Sequence, residues 1–271
     1  IEYPISKFNN KKIPFICLVH GNEVIIKNNR HQQRILNIFS KVNKIVSNSE
    51  FTKNLIKKVS SQIENIEVIY PGVSYFDDII EEEVKLIDGT PTLLTLARLE
   101  KRKGHEHTLQ AISNLKKQYP NIRYIVAGEG EEKNHLKSIV NSLNISDNVI
   151  FIGAVSDEQK KYIFNKTDLM VMPTLDETNK LSIEGFGISY LEAALFGIPS
   201  IASNIGGTNE AVLHNETGLI IDDLKDLEIS IRDLIQNKDK RKLLGDNAKN
   251  RALNDLHWSN QVRKYSNLIS I

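Results

Sequence analysis

The 271-residue sequence predicts an α/β protein of doubly wound parallel sheets, and three observations carry that expectation. Short β-branched runs alternate with amphipathic segments along almost the whole chain. Most of the runs are continuously apolar, the pattern of strands covered on both faces. The intervening segments repeat apolar residues at helical spacing, and successive β-α-β connections place helices on both sides of a parallel sheet.

In chain order the first runs are ICLVH (16–20), KIVSNS (44–49) and IEVIY (66–70). TLLTLA (92–97), IRYIVAG (122–128), NVIFIG (148–153), LMVMP (169–173), IPSIAS (198–203) and GLII (218–221) follow. Between them, HTLQAISNLKKQY repeats Leu109, Ile112, Leu115 and Lys116 at helical spacing before the stop at Pro120. SIVNSLN and DEQKKYIFNKT follow the same period, and the tail from 226 onward reads as helices ending in HWSNQVRKYSNLIS. About six strands in the second part make a complete open sheet, whereas the first part carries about three. The turn-rich YPGVSYFDDIIEEEVKLIDGTP (70–91) separates them. We place the boundary near residue 88, with a partial first domain over 1–87 and a second domain over 88–271. The chain opens on Ile rather than Met, close to a strand, and reads as part of a longer protein.

Composition excludes several classes. With 40% hydrophobic and 25% charged residues the chain is an ordinary globular one. Its net charge of +1 supplies no global field towards nucleic acid or an acidic membrane. The single cysteine, Cys17, excludes an internal disulfide and fits a reducing compartment. No apolar run approaches the ~20 residues that span a bilayer, and IEYPISKFNNKK lacks the apolar core of a secretory signal.

In an open parallel sheet, ligands bind beyond the carboxyl ends of the strands. After TLLTLA the chain reads Arg98-Leu-Glu-Lys-Arg-Lys103-Gly104 and then a helix. Cations at such a turn, beside the free N–H groups of a helix N-terminus, favour an anion such as a diphosphate. A solvated basic turn is the alternative, and it stays open at this point. Gly128-Glu129-Gly130 reads as a tight turn. It lacks the full GxGxxG fingerprint and its acidic ribose partner, which counts against an NAD enzyme. The stretch IEGFGISYLEAALFGIPSIAS (183–203) places Glu184 at a glycine hinge and Glu192 inside a helix, about 12 Å further along the axis. A carboxylate grips a diol by accepting two hydroxyl hydrogen bonds, and this separation suits a sugar at one end and a ribose at the other. The bland reading makes Glu184 a helix-dipole partner and Glu192 an exposed residue. The apolar neighbours Leu191, Ala193, Ala194 and Leu195 speak against an idle surface position for Glu192.

Taken in order, these motifs resemble the donor-binding domain of retaining glycosyltransferases of family four, which have the GT-B fold of two Rossmann-like domains facing a cleft. The resemblance rests on Glu184-x7-Glu192, Arg98-x4-Lys103-Gly104, Gly185-Phe186-Gly187, GIPSIAS, and Gly206-Gly207-x-x-Glu210 followed by NETGLII. CLVHGNEV, IVSNSEFTKNLI and VIYPGVS resemble the end of the acceptor-side domain and the stretch leading to the hinge. Ser74 stands where the family commonly has Asp, and no residue matches the family's first strands and glycine-rich loop. A chain without those strands is expected to bind donor, to turn over little, and to expose sheet edges.

The resemblance implies roles. Arg98 and Lys103 would neutralise the diphosphate of the leaving group, without a metal or other cofactor. Glu184 would hold donor-sugar hydroxyls, Glu192 the ribose, and the Gly185-Phe186-Gly187 backbone the sugar and phosphate. His20 would face the donor sugar across the cleft, a plain turn residue being the alternative. Val155, Asp157 and Lys160 match a Val-x-Asp-x-x-Lys pattern near guanine in members that use GDP-mannose. Ser156-Asp157-Glu158-Gln159 is equally an ordinary helix start, and UDP-sugars stay open. The implied protein is a hexosyltransferase acting from a GDP- or UDP-sugar on a glycan or lipid-linked acceptor, with no nucleic-acid partner. Retention in the family is usually explained by front-face attack, the departing phosphate accepting the acceptor's proton. The rival readings are a GT-B sugar-nucleotide epimerase and a nucleotide-sugar-binding module without turnover. A cytoplasmic setting is implied, and the mixed charges of KFNNKK and KNNRHQQR suit either a peripheral position at the inner membrane face or plain solvent.

Overall fold

The computed structural model describes residues 14–269; the KFNNKK stretch lies outside them. All nine apolar runs form strands, arranged in two wholly parallel sheets. The first sheet has the order β1 (Ile16–Val19), β2 (Lys44–Ser47), β3 (Ile66–Val68). Its crossovers are α1 (Asn29–Phe39) and α2 (Glu50–Val59). Each helix starts where a polar residue caps it, Asn28 accepting from His31 N and Ser49 from Thr52 N.

The second sheet contains β4 (Thr92–Leu96), β5 (Arg123–Ala127), β6 (Val149–Gly153), β7 (Leu169–Met172), β8 (Ser200–Ser203) and β9 (Gly218–Ile221). Its spatial order is β6-β5-β4-β7-β8-β9. The chain first winds outward from β4 to β6 and then returns to the other side of β4, so the order reverses between β4 and β7. At such a switch point the loops leaving neighbouring strands diverge and open a crevice. Here the loops are the basic turn after β4 and the long segment from Pro173 to Gly187 after β7.

The connecting helices α3 (His105–Leu115), α4 (Lys133–Ser142), α5 (Asp157–Asn165), α6 (Ile188–Leu195), the short α7 (Thr208–Ala211) and α8 (Leu227–Gln236) are followed by α9 (Lys238–Asn254) and α10 (Trp258–Ile269). Both sheet faces are dry. Leu93, Leu109, Val171 and Ile231 pack on one side, and Leu94, Met170, Phe186 and Ala202 on the other. Among the described residues, no helix is long and apolar enough to cross a membrane.

The segment between the sheets is an extended strap held on α5. Lys161 Nζ donates to the carbonyls of Phe76 and Ile79, each at 2.8 Å. At the junction the chain passes twice: Val73 N donates to Leu256 O at 2.9 Å and Trp258 N donates to Val73 O at 3.0 Å. Gly72 lies directly under the Trp258 indole, where a Cβ would stand 2.6 Å from Cδ2 and 2.9 Å from the backbone Cα. Gly72→Ala therefore forces the two crossings apart. We expect it to lower stability by about 1–3 kcal/mol, the usual range for overpacking, read as a lower urea midpoint with unchanged slope.

Candidate active site

A cleft of about 550 Å³ opens between the two sheets. His20, Asn22, Glu23 and Asn48 line it from the first sheet, Arg98, Arg102, Lys103 and residues 183–189 from the second, and Trp258 and Tyr265 from α10.

The basic turn is built by Lys101–Lys103, one turn of 3₁₀-helix, closed by Gly104 in the left-handed region at φ 69°. A Cβ on Gly104 would stand 2.0 Å from the carbonyl oxygen of Pro173, so only glycine lets β4's turn press on the loop after β7. Lys103 is 9% exposed and Arg102 is 4% exposed, which rules out a simple solvated turn. Both point at one oxygen: Lys103 Nζ lies 2.5 Å and Arg102 Nη1 2.7 Å from Glu184 Oε2. Arg102 Nε also donates to Ser182 Oγ at 3.0 Å, and its Nη2 to Glu100 Oε2 at 3.3 Å. Arg98 is exposed and pairs with Glu100 Oε1 at 2.7 Å. Three cations thus meet two carboxylates, and the cluster keeps one net positive charge to offer an anion.

Burial pushes the Glu184 carboxyl up, but Lys103 and Arg102 outweigh it and hold it below its ordinary pKa. For Lys103 burial is the larger influence, and its ammonium sits below the usual lysine value despite Glu184. Behind the turn, burial drops His105 to a pKa of about 4. Its neutral imidazole, 3.3 Å from Tyr124 Oη, supports the turn without adding charge at neutral pH. Neither Arg102 nor His105 stands out in the sequence. The adjacent cations of Lys101-Arg102-Lys103 are the one available signal, but a 3₁₀ turn has no long periodicity to say which of them faces inward.

The glycine hinge is a close backbone approach. A Cβ on Gly185 would stand 2.0 Å from the His20 carbonyl oxygen, so the two units touch there main chain to main chain. Asn48 Nδ2 donates to that same carbonyl at 3.3 Å, and Ile183 N donates to Asn22 Oδ1 at 2.9 Å. His20 itself is exposed on the cleft, and Glu23 Oε2 accepts from the His20 and Gly21 amides at 3.2 and 2.9 Å. Gly187, at φ 103°, starts α6, and no side chain caps it. The first-turn amides at Ile188 and Ser189 therefore lie at the cleft wall with their positive end towards it. Phe186 turns away from the cleft, 2% exposed, with its ring stacked on Tyr70 at 5.2 Å between centroids. Only its backbone is placed to meet a ligand.

The second carboxylate departs from the expected geometry. Helix α6 begins only at Ile188, so the helical rise does not apply across residues 184–187 and the 12 Å separation along one axis does not hold. Glu192 is the fifth residue of α6, in its second turn, and stands about 6 Å of helical rise beyond the cleft-lining Ile188. It accepts from Lys160 Nζ at 2.9 Å, and Lys160 also reaches Asp157 Oδ1 at 3.0 Å. Glu192, Asp157 and Lys160 therefore form one polar cluster, with Val155 in the turn just before α5. None of these four is a wall of the 550 Å³ cleft. The Ser156–Gln159 capping box holds α5 in place beside them. Among the described residues, no group of three or more His, Cys, Asp or Glu is arranged to hold a metal ion.

Two parallel Rossmann-like sheets facing a cleft, with a basic turn and a glycine-hinged helix at the switch point of the second, define a GT-B architecture. The family model for glycosyl transferases, group 1, matches residues 77–251, well over half of the chain, and the chain belongs to that family. It is 27% identical over 182 residues to a GDP-mannose-dependent alpha-(1-6)-phosphatidylinositol monomannoside mannosyltransferase of Mycolicibacterium smegmatis, covering 66% of this chain and 48% of that one. To the GDP-mannose-dependent monoacylated alpha-(1-6)-phosphatidylinositol monomannoside mannosyltransferase of Corynebacterium glutamicum it is 26% identical, over 91% of this chain and 67% of the relative. Among solved structures, Anabaena Alr3699/HepE in complex with UDP and glucose superposes with a TM-score of 0.79 at 18% identity, covering 95% of this chain and 71% of that chain. The chain spans about half the length of the first mannosyltransferase it matches.

Lys103→Ala and Arg98→Ala should each weaken nucleoside diphosphate binding by about 1.5–3 kcal/mol, the range for hydrogen bonds to charged groups. Binding of the uncharged nucleoside should hardly change. Calorimetry on both variants checks this, and parental affinity for the diphosphate in both would remove these side chains from the site.

Proposed function

We propose that this protein is a retaining hexosyltransferase that takes its sugar from a nucleotide-diphosphate donor without a metal ion. The donor is of the GDP-mannose type, and the acceptor is a glycan or a lipid-linked glycan. Residues 88–271 serve as the donor domain and 1–87 as part of the acceptor side. The observation that carries the reading is the Arg98–Arg102–Lys103–Glu184 cluster beside the uncapped start of α6, on a cleft shared by both sheets.

When the bond between the anomeric carbon and the phosphate oxygen breaks, negative charge grows on the departing diphosphate. Buried Lys103 and the first amides of α6 would stabilise it, with Arg98 adding its charge from the rim, and preorganised charge supplies much of the rate enhancement in many enzymes. Lys103 and Arg102 both occupy Oε2 of Glu184, which leaves Oε1 to accept donor-sugar hydroxyls. His20 flanks the same space from the other wall. An acceptor hydroxyl entering on the leaving-group face gives its proton to the departing phosphate oxygen as its own oxygen bonds to the anomeric carbon, and configuration is retained. Glu192 with Asp157 and Lys160 would take the ribose and base. The guanine preference draws on the Val155-x-Asp157-x-x-Lys160 pattern and on the GDP-mannose dependence in the relatives' names. Uracil is the competing base, because UDP is bound in the Anabaena structure.

Incubating the intact protein with radiolabelled GDP-mannose or UDP-glucose and candidate acceptors, with and without EDTA, tests the reading. Label should pass to an acceptor in the α configuration, with GDP-mannose preferred and EDTA without effect. Label that stays on the nucleotide, epimerised or unchanged, would reject a transferase.

A lipid-linked acceptor would bring the protein to the inner membrane face. The KNNRHQQR segment runs into α1, and its Lys27, Arg30 and Arg34 are exposed. We expect the intact protein to float with anionic liposomes at low salt and to lose that attachment as the Debye length shrinks to about 3 Å at 1 M salt. Absence of flotation at low salt would favour a soluble glycan acceptor.

A further inference from the structure

The acidic side chain of the Gly206-Gly207-x-x-Glu210 motif does not enter the cleft. The Glu210 carboxylate reaches instead to the first sheet's unit, 159 and 160 residues away in sequence. Its Oε2 accepts from Glu50 N and its Oε1 from Phe51 N, both at 2.7 Å. These are the first two amides of α2, while the third, Thr52 N, is held by Ser49 Oγ at 2.9 Å. The helix start is therefore capped in part by its own chain and in part by a carboxylate from the other unit. Charge, dipole and geometry all favour the contact.

Both ends of this bridge are attached to the cleft walls. On the α2 side, Ser49 is preceded by Asn48, which lines the cleft and donates to the His20 carbonyl at 3.3 Å. On the Glu210 side, the turn before α7 lies directly under the glycine hinge. Gly207 N donates to Glu184 O at 2.9 Å, and a Cβ on Gly207 would stand 2.2 Å from Gly185 O. The backbone that carries Glu210 is fixed in turn by Arg251, whose Nη2 donates to Glu210 O at 2.6 Å and Nη1 to Ala211 O at 2.7 Å.

We propose that Glu210 is a positioning residue that latches the two units, setting the distance across the cleft between His20 and Glu184. The inference rests on the transferase reading for its effect on turnover, but the latch itself is a property of the fold. The proposed contacts to the donor's diphosphate, ribose and base lie on the second unit and do not pass through Glu210, and His20 alone would meet the sugar from the first. Removing the latch therefore lets the walls part while the donor site stays whole, and the loss falls on the chemical step, which needs both walls together.

The test uses Glu210→Ala, which lacks both acceptors, and Glu210→Gln, which keeps one. Hydrogen exchange at the Glu50 and Phe51 amides should quicken in the order Glu, Gln, Ala. Spin labels on Lys58→Cys and Lys137→Cys, in a Cys17→Ser background, should give a broader and longer distance distribution in Glu210→Ala. In the intact enzyme, kcat should fall by up to about 10²-fold in Glu210→Ala, the scale of a misplacement near 1 Å, with KM for the donor nearly unchanged. Unchanged exchange and an unchanged distance distribution would overturn the latch, as would equal loss of donor binding and turnover. If the parent transfers no sugar, the transferase reading fails, and the exchange and distance measurements still decide the latch.

Discussion

The site depends on one oxygen atom, Oε2 of Glu184, shared by two buried cations. Lys103 and Arg102 come from the turn after β4, and Glu184 from the segment after β7. The ion cluster therefore ties together the two loops that diverge at the switch point of the sheet. Taking such charges out of water is expensive, and losing one partner of a buried pair costs roughly 3–5 kcal/mol because the other is left uncompensated. The arrangement tolerates this because Arg102 makes two further links, to Ser182 and Glu100, and Glu100 in turn pairs with Arg98. The charges are thus dispersed towards the cleft, where an incoming diphosphate would meet them.

The same geometry makes the glycines readable as consequences. Gly104 has to admit Pro173, and Gly185 has to admit the His20 carbonyl, because the loops and units meet backbone to backbone. Such contacts leave little space around the turn after β4 and the glycine hinge. Side chains with rotamer freedom, such as Arg98, are left for the rim.

Much of the fold was legible because a strand covered on both faces is apolar almost throughout; most of the nine runs have that pattern, and all nine became strands. Their ends moved for local reasons. The run 198–203 begins as a strand only at Ser200, since Pro199 has no N–H to give. The run 44–49 stops at Ser47 because Asn48 turns to the cleft and Ser49 caps α2. That Arg98, Lys103 and Glu184 share one end of the sheet was equally readable, because the topology brings the loops leaving β4 and β7 together. Three things were not. The position of Glu192 depended on where α6 starts, which the glycine pair left undecided. The inward turn of Arg102 leaves no periodic mark, and Glu210 finds its partners across the units, where no local pattern records them.

The double passage of the chain at Val73 and His257 limits how the cleft can move. A single tether would let one unit swivel on the other about any axis. Two segments running side by side and bonded through Leu256, Val73 and Trp258, with Trp258 packed against Gly72, would bend together but resist twisting. Any opening of the cleft would therefore keep close to one axis, as a book turns on its spine. The face of His20 would stay turned towards Glu184 throughout such a swing.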